Sequence, residues 1–178
     1  MSKLRLSFAC WNYDRTRALL DGSVRPEGID LNYLCLPVEE TFFRMARHRE
    51  FDVAEMSFSS YCVSLNKPDR PFVALPVYPS RFFRHSCIYV NAAAGIREPK
   101  DLIGKRIASP EYQMTAPVWI RGILQDHYGV PVTNADSEPY RFGGEEEPGR
   151  IEKIKLDLPP DIRLQAIGPT QTLSQMLA

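Results

Sequence analysis

Residues 4–9 have the sequence LRLSFA, and residues 29–36 have the sequence IDLNYLCL. In both stretches apolar and polar side chains alternate, and a period of two predicts a β-strand. Between them, residues 12–14 (NYD) offer a cap for a short helix that ends near residues 21–22 (DG). A strand, a helix and a second strand in this order predict a parallel strand pair in an α/β fold.

The same β-α-β spacing continues over the first ninety residues and predicts a parallel sheet with helices on both faces. On the next helix we expect four buried apolar residues, Phe42, Phe43, Met45 and Ala46. The remaining predicted elements are, in chain order, a helix over 39–48, a strand over 51–56, a helix over 57–65, and strands over 72–77 and 87–90.

After residues 91–95 (NAAAG) the pattern starts again, which predicts two α/β lobes, residues 1–92 and 96–178. The chain ends inside this second pattern without a helix cap or a C-terminal turn, and this ending resembles an interruption. The predicted elements of the second lobe are a helical turn over 99–104, a strand over 105–109, a helix over 115–128 that Gly129 ends, strands over 151–158 and 162–167, and a helix that starts at Thr172.

Composition limits the classes of function. The 178 residues carry 22 basic and 22 acidic side chains, and 44% of them are apolar, which is typical of a soluble globular protein. Zero net charge argues against nucleic-acid binding and against an anionic membrane surface as partner. The first residues show no signal-peptide pattern, so we expect a cytoplasmic protein. The four cysteines lie far apart in apolar or strand-like stretches, and we expect buried free thiols: Cys10, Cys35, Cys62 and Cys87.

Several motifs, in a fixed order along nearly the whole chain, resemble the 4,5-dihydroxyphthalate decarboxylase family. No single motif is specific for this family, but the order and spacing of the motifs together are specific for it. The motifs are residues 28–31 (GIDL), 36–42 (LPVEETF), 50–57 (EFDVAEMS), 81–86 (RFFRHS), 88–91 (IYVN), 110–116 (PEYQMTA), 119–122 (WIRG), Gly143-Gly144 and Gly149-Arg150.

This resemblance implies the fold of type II periplasmic binding proteins, with two α/β lobes and a ligand cleft between them. In that fold the chain returns from the second lobe to finish the first, so the resemblance implies a carboxyl-terminally truncated fragment in which both lobes are incomplete. It also implies a carboxy-lyase of aromatic catabolism that converts 4,5-dihydroxyphthalate, or a similar hydroxylated aromatic dicarboxylate, to protocatechuate. A hydroxyl para to the reacting carbon can supply electrons to the ring, so no organic cofactor is expected. The expected partner is a small aromatic carboxylate, and a homo-oligomer is compatible with the pattern.

The strongest candidate cluster lies in residues 81–86. Arginine binds carboxylates through two parallel hydrogen bonds, and histidine exchanges protons near neutral pH. With the resemblance, this predicts Arg81 and Arg84 as carboxylate anchors and His85 as the group that handles the proton. The alternative is that both arginines are solvated surface charges and that His85 caps the end of a strand.

The loop after the first strand is the second candidate, because ligands of open α/β sheets gather at the carboxyl ends of the strands. Trp11 can stack on an aromatic ring, Asn12 can bond a hydroxyl, and Arg15 can bind a carboxylate. The alternative makes Trp11 a core residue and Asn12 a helix cap. By the same argument Ser57 and Ser59 follow the third strand, at a helix N-terminus that favours a carboxylate, although serine is also a common cap.

The second lobe supplies four candidates just before or at the start of its long helix. Tyr112 or Glu111 could donate the proton, and Thr115 could bind an anion with its hydroxyl and backbone. Gln113 completes the predicted substrate-binding set. An ordinary capped helix explains any one of these residues equally well.

No metal site follows from the sequence, because the three histidines show none of the spacings of metal motifs. We interpret His48 as solvated, His127 as a helix-end cation, and residues 145–147 (EEE) as a loop with a charge run. A second class of function remains open. A solute-binding protein of the ABC-importer type, for an aromatic or sulfonate anion, would share the same fold.

Overall fold

The computed structural model describes residues 2–134 and 138–178. The chain divides into two compact units, Met1–Phe82 and Phe83–Ala178. Each unit contains a three-stranded parallel sheet together with helices, so the predicted α/β class is confirmed. The lobe boundary predicted at residues 92–96 lies about ten residues beyond this division, and the two-lobed fold type stays a prediction.

In the first unit the structure describes six regular elements over residues 2–82, and the sheet has the order β2-β1-β3 with all strands parallel. The predicted strands and helices up to residue 65 are confirmed, with shorter bounds for β2 and β3. The elements are β1 (Leu4–Ala9), α1 (Arg17–Leu20), β2 (Ile29–Leu34), α2 (Val38–His48), β3 (Val53–Ala54) and α3 (Phe58–Ser64).

The register of β1 explains why these sequences pair. Leu4 lies opposite Ile29 and Ala9 opposite Leu34, so the two alternating segments match along their whole length. The rings of Phe8 and Tyr33 meet edge to face at 5.0 Å across this pair, a contact that stabilises neighbouring strands.

One prediction for α1 and one for α2 were wrong. The cap of α1 is Thr16 instead of residues 12–14, because the helix begins only at Arg17. None of the four apolar residues predicted to be buried on α2 is buried: Phe42, Met45 and Ala46 are half-buried and Phe43 is exposed, whereas Thr41 is fully buried. The ring of Phe43 instead lies against Arg47 and His48 on the helix surface.

The strands predicted over residues 72–77 and 87–90 are absent from the described structure. In the first segment Pro76 lacks an N–H group, and the N–H of Val77 donates to the carbonyl of Leu75 (2.7 Å), which makes a tight turn. In the second, Cys87 ends a 3-10 helix that spans His85–Cys87. The alternating apolar side chains of the first segment therefore stay largely exposed, with Val73 at 92%.

The second unit contains a sheet of order β4-β5-β6, again parallel throughout. Helix α4 matches its predicted bounds, and Gly129 ends it in the left-handed conformation (φ 67°) that glycine adopts without strain. The elements are 3-10 helices at His85–Cys87, Ala92–Ala94 and Pro99–Leu102, then β4 (Ala108–Ser109), α4 (Thr115–Tyr128), β5 (Tyr140–Phe142), β6 (Leu164–Ala166) and α5 (Leu173–Leu177).

The strand predicted over residues 151–158 was wrong, and β5 was not predicted. Residues 151–158 form no strand in the described structure. The adjacent residues Lys153 and Ile154 are both buried, whereas a strand with alternating faces would bury only one of them. On α4, Leu124 is buried as expected, whereas Trp119 is 56% exposed. Helix α5 begins with a capping box between Thr172 and Gln175.

The cysteine prediction is confirmed in part. All four thiols are free, but only Cys10 is fully buried, and Cys35 and Cys62 are exposed. Within residues 2–134 and 138–178 no helix has both the length and the apolar character needed to cross a membrane.

At two glycines of the second unit we expect an added methyl group to have opposite effects on stability. A Cβ on Gly144 would lie 1.5 Å from the carbonyl oxygen of Glu147, while one on Gly122, inside α4, meets nothing within 4 Å. We expect Gly144→Ala to destabilise by about 1–3 kcal/mol through overpacking and Gly122→Ala to stabilise by about 1 kcal/mol through helix propensity. Urea unfolding followed by circular dichroism measures both changes. Equal midpoints for the two variants would contradict the close approach of residues 144 and 147.

Candidate functional site

The carboxyl ends of the three strands of the first unit are held together by backbone hydrogen bonds. The N–H of Cys10 donates to the carbonyl of Leu34 (3.2 Å), and the N–H of Glu55 donates to the carbonyl of Ala9 (2.9 Å). Trp11 and Glu55, which follow β1 and β3, are thereby brought to the same edge of the sheet. This is the edge at which parallel sheets bind ligands.

Glu55 is the central polar group of this edge. Its side chain is buried (7% exposed), and both carboxylate oxygens accept a hydrogen bond. The backbone N–H of Trp11 donates to Oε1, and the hydroxyl of Tyr13 donates to Oε2, both at 2.9 Å. Burial raises the pKa of the Glu55 carboxyl above its ordinary value, although these two hydrogen bonds oppose the shift.

The pKa values of two neighbours of Glu55, Cys10 and Tyr13, are shifted by the same burial and by the charge of Glu55. Burial first, and then the negative charge of Glu55, raise the pKa of the Cys10 thiol and of the Tyr13 phenol. Both groups are therefore held in their neutral forms. A neutral Tyr13 keeps the proton that it donates to Glu55.

The predicted loop residues lie at the surface around this carboxylate. The indole of Trp11 is 41% exposed, so Trp11 is not a core residue. Arg15 donates to the carbonyl of Pro79 (2.8 Å) and pairs with Asp14 (3.1 Å). Asn12 is exposed and does not cap α1. An exposed indole and a nearby guanidinium can meet an aromatic ring and a carboxylate.

Ser57 and Ser59 follow β3 as predicted, and the structure places them in the interior. Ser57 occupies the N-cap position of α3 without a capping bond from its side chain. Its hydroxyl lies 3.0 Å from that of Ser59, and both residues are buried. They begin two residues after Glu55, so the two serines and the carboxylate share one segment.

Among the described residues of the second unit, Glu111 is the most deeply buried charge, at 1% exposure. Arg150 donates to its Oε1 from Nη2 (2.8 Å) and from Nε (3.1 Å), and Lys153 donates to the same oxygen from Nζ. Gln113 donates to Oε2 (3.1 Å). Burial alone would raise the pKa of the Glu111 carboxyl, but Lys153 and Arg150 outweigh it and hold the pKa below its ordinary value.

Tyr112 is enclosed by a cation and a second ring. The guanidinium of Arg121 lies 3.7 Å from the centre of the Tyr112 ring. The centre of the Tyr140 ring lies 5.3 Å from the centre of the same ring. Arg121 Nη2 also donates to the Tyr112 carbonyl (2.6 Å). Burial raises the pKa of the Tyr112 phenol and lowers that of the Arg121 guanidinium. Thr115 starts α4, but Met114 holds the cap position.

The cluster predicted at residues 81–86 falls on both sides of the division between the units. Arg81 belongs to the first unit, and Arg84 and His85 belong to the second. Arg81 and His85 are exposed, and the imidazole lies 6.5 Å from the ring of Tyr128, edge to face. His85 starts a 3-10 helix, so it does not cap a strand.

Sequence reasoning missed two residues of interest, Glu55 and Arg121. Both lie inside motifs that carried the family resemblance, and an acid directly after the short strand β3 is the pattern that could have identified Glu55. Within the part of the chain that the structure describes, no group of three or more histidine, cysteine, aspartate or glutamate side chains could hold a metal ion.

Comparison with known proteins gives close relatives. The chain is 47% identical over its 178 residues to a 4,5-dihydroxyphthalate decarboxylase of Comamonas testosteroni, of which it covers 53%. It is 46% identical over the same length to a 4,5-dihydroxyphthalate decarboxylase of Pseudomonas putida, of which it covers 68%. The chain thus spans about half the length of the first curated relative. No protein-family model matches it. With 46% identity across two thirds of a relative, the chain belongs to the 4,5-dihydroxyphthalate decarboxylase family.

Proposed function

We propose that this chain is part of a carboxy-lyase that converts 4,5-dihydroxyphthalate, or a similar hydroxylated aromatic dicarboxylate, to protocatechuate. The identity of 46–47% over the whole chain to two relatives of that name carries the proposal. We further propose a cytoplasmic location and a two-lobed architecture like that of type II periplasmic binding proteins. The rival function, capture of an aromatic or sulfonate anion without reaction, has no such support.

The reaction defines what the site must supply. The bond between one carboxylate and the ring breaks, its electron pair stays on the ring carbon, and carbon dioxide leaves. A proton then takes the place of the carboxylate on the same carbon. The site therefore needs cations for the retained carboxylate and a proton donor near the ring, and a positioned donor contributes a rate factor of about 10²–10⁴.

In the first unit we assign substrate binding to the exposed loop after β1. Trp11 would stack on the ring, Asn12 would bond a hydroxyl, and Arg15 would bind a carboxylate. The partial exposure of Trp11 and Arg15 supports these roles. Ser57 and Ser59 bond to each other, which favours support of the segment over direct contact with substrate.

Among the candidate proton donors, the exposed imidazole of His85 is the best placed to meet a ligand. Tyr112 is covered by Arg121, and Glu111 is held as an ion pair by Lys153 and Arg150. We therefore propose His85 as the proton-handling group. Arg81 and Arg84 stay the proposed carboxylate anchors, and Gln113 and Thr115 stay proposed binding residues of the second unit.

Association with another chain is also part of the proposal. Several large apolar side chains outside regular structure are mostly exposed, with Val73 at 92% and Phe83 at 87%. Exposed apolar surface of this kind favours association. We propose homo-oligomerisation as one form of it, which sedimentation equilibrium measures directly.

Removal of His85 tests the proton assignment. We expect His85→Ala to lower kcat by about 10²–10⁴-fold with a much smaller change in KM, because the group acts in the transition state. The matched control is His127→Ala, an exposed histidine in the last turn of α4. A raised KM with unchanged kcat would recast His85 as a binding residue.

The proposed reaction is tested by incubating the protein with 4,5-dihydroxyphthalate and following carbon dioxide and protocatechuate by chromatography, with and without a chelator. Formation of both products in both samples is the expected result. Loss of product in the chelated sample alone would make the reaction metal-dependent. Tight binding without product would support the receptor function and overturn the decarboxylase proposal.

A further inference from the structure

The backbone of Trp11 is held from both sides by side chains of the neighbouring strands. Its N–H donates to Glu55, which follows β3 (2.9 Å), and its carbonyl accepts from the hydroxyl of Tyr33 on β2 (3.0 Å). Trp11 itself follows the central strand β1. The indole is nevertheless 41% exposed, so a fixed main chain presents an accessible ring.

Glu55 also binds Tyr13, two residues further along the loop. Its second oxygen accepts from the hydroxyl of Tyr13 (2.9 Å), and the N–H of Thr16 donates to the carbonyl of Tyr13 (3.1 Å). One buried carboxylate thus joins residues 11 and 13 and leads to the cap of α1. A buried acceptor with two donors is costly to disturb, so the loop is held in one conformation.

We propose that Glu55 is a positioning residue that fixes the loop of residues 11–15 so that the Trp11 indole forms a preorganised platform for the aromatic ring of the substrate. The proposal rests on the proposed function for the identity of that ring. Glu55 acts through Trp11 and Tyr13 instead of touching the substrate. Fixing the platform in advance lowers the entropy cost of binding the ring.

The carboxylate, and not only its shape, is required for this role. Glutamine has nearly the same size, but it is neutral and has only one acceptor oxygen. In Glu55→Gln that oxygen can accept from the N–H of Trp11, while the amide nitrogen can only donate to the hydroxyl oxygen of Tyr13, so the Tyr13 proton loses its acceptor and both bonds become neutral. Tyr13→Phe removes one donor and leaves the carboxylate, so a smaller effect in the same direction is expected.

The chain has two tryptophans, and Trp119→Phe leaves Trp11 as the single indole reporter. In this background we would measure quenching of Trp11 by acrylamide, binding of 4,5-dihydroxyphthalate, and kcat and KM. Glu55→Gln is expected to increase the quenching constant and to weaken ligand binding about tenfold, because two charge-assisted hydrogen bonds are replaced by weaker neutral ones. Tyr13→Phe gives the same readouts if Glu55→Gln does not fold.

Asp52→Asn is the matched control. Asp52 precedes β3 and accepts from the N–H and hydroxyl of Ser7 on β1 (2.8 and 2.7 Å), so it also links β3 to β1, but away from Trp11. Its substitution should leave quenching and affinity within about twofold, as expected for a site remote from the ligand.

An unchanged quenching constant of Trp11 in both Glu55→Gln and Tyr13→Phe would overturn the proposal. An increased quenching constant with unchanged affinity for 4,5-dihydroxyphthalate would overturn it as well. Failure of the parent protein to bind the dicarboxylate would count against the proposed function and against the substrate ring named here. The quenching data from the same samples would still decide separately whether Glu55 fixes the loop.

Discussion

Replacement of Glu111 by alanine is expected to lower the free energy of unfolding by about 3–5 kcal/mol. The substitution leaves the ammonium of Lys153, whose side chain is only 7% exposed, without its carboxylate. Arg150 loses the same partner. Removing a carboxylate that pairs with a buried charge is strongly destabilising, because the desolvation cost of the charge stays while the attraction to that carboxylate is lost. Urea unfolding followed by circular dichroism measures the change.

Lys155→Ala is the control for this prediction, because Lys155 is an exposed lysine two residues from Lys153. It should change the free energy of unfolding by less than about 0.5 kcal/mol. Similar losses in Glu111→Ala and Lys155→Ala would contradict a special role for the buried pair.

The pH dependence of stability provides an independent check on Glu111. Its folded-state pKa lies below the ordinary value of 4.5, so its contribution is fully present above pH 4.5 and is lost as pH falls through the folded-state pKa. Below pH 4.5 the parent protein should therefore lose stability more steeply than Glu111→Ala. Parallel profiles would show that Glu111 is not paired.

Arg81→Ala is expected to lower kcat/KM by about a hundredfold, close to 3 kcal/mol of transition-state binding. The guanidinium is exposed, and its planar donors match a carboxylate. Removing it would take away one of the two arginines proposed to anchor the carboxylate of the substrate, together with its bidentate hydrogen bonds. Assays of protocatechuate formation measure the effect.

Two further variants make this test specific. Arg81→Lys keeps the charge but loses the bidentate geometry, so an intermediate kcat/KM is expected. Arg97→Ala, at another exposed arginine, should leave the activity unchanged. Full activity of Arg81→Ala would remove Arg81 from the site.

Local patterns were sufficient for the elements whose partners lie nearby in the sequence. The alternation of residues 4–9 and 29–36 predicted β1 and β2, and the structure pairs them in matching register. The bounds of α4 followed from its apolar spacing and from Gly129. In these cases the local preference and the tertiary contacts favour the same conformation.

Local patterns failed where a distant partner was needed. Residues 72–77 and 151–158 alternate like strands, yet neither pairs in the described structure, because a strand forms only where a neighbour satisfies its backbone groups. The short strand β5 was missed for the converse reason. Its three residues pair with β4 and β6, although the surrounding sequence is polar.

For the candidate site, too, some features could be predicted from the sequence and others only from the tertiary structure. The sequence by itself determined the family, the α/β class, and the loop after β1 as a place for Trp11 and Arg15. Only the tertiary structure decided that Glu55 holds this loop and that Glu111 is bound to Lys153, 42 residues further along the chain. Glu55 and Glu111 carry the same carboxyl group. Burial and the donors that surround it determine its pKa and its role, and both depend on contacts between segments that are distant in sequence.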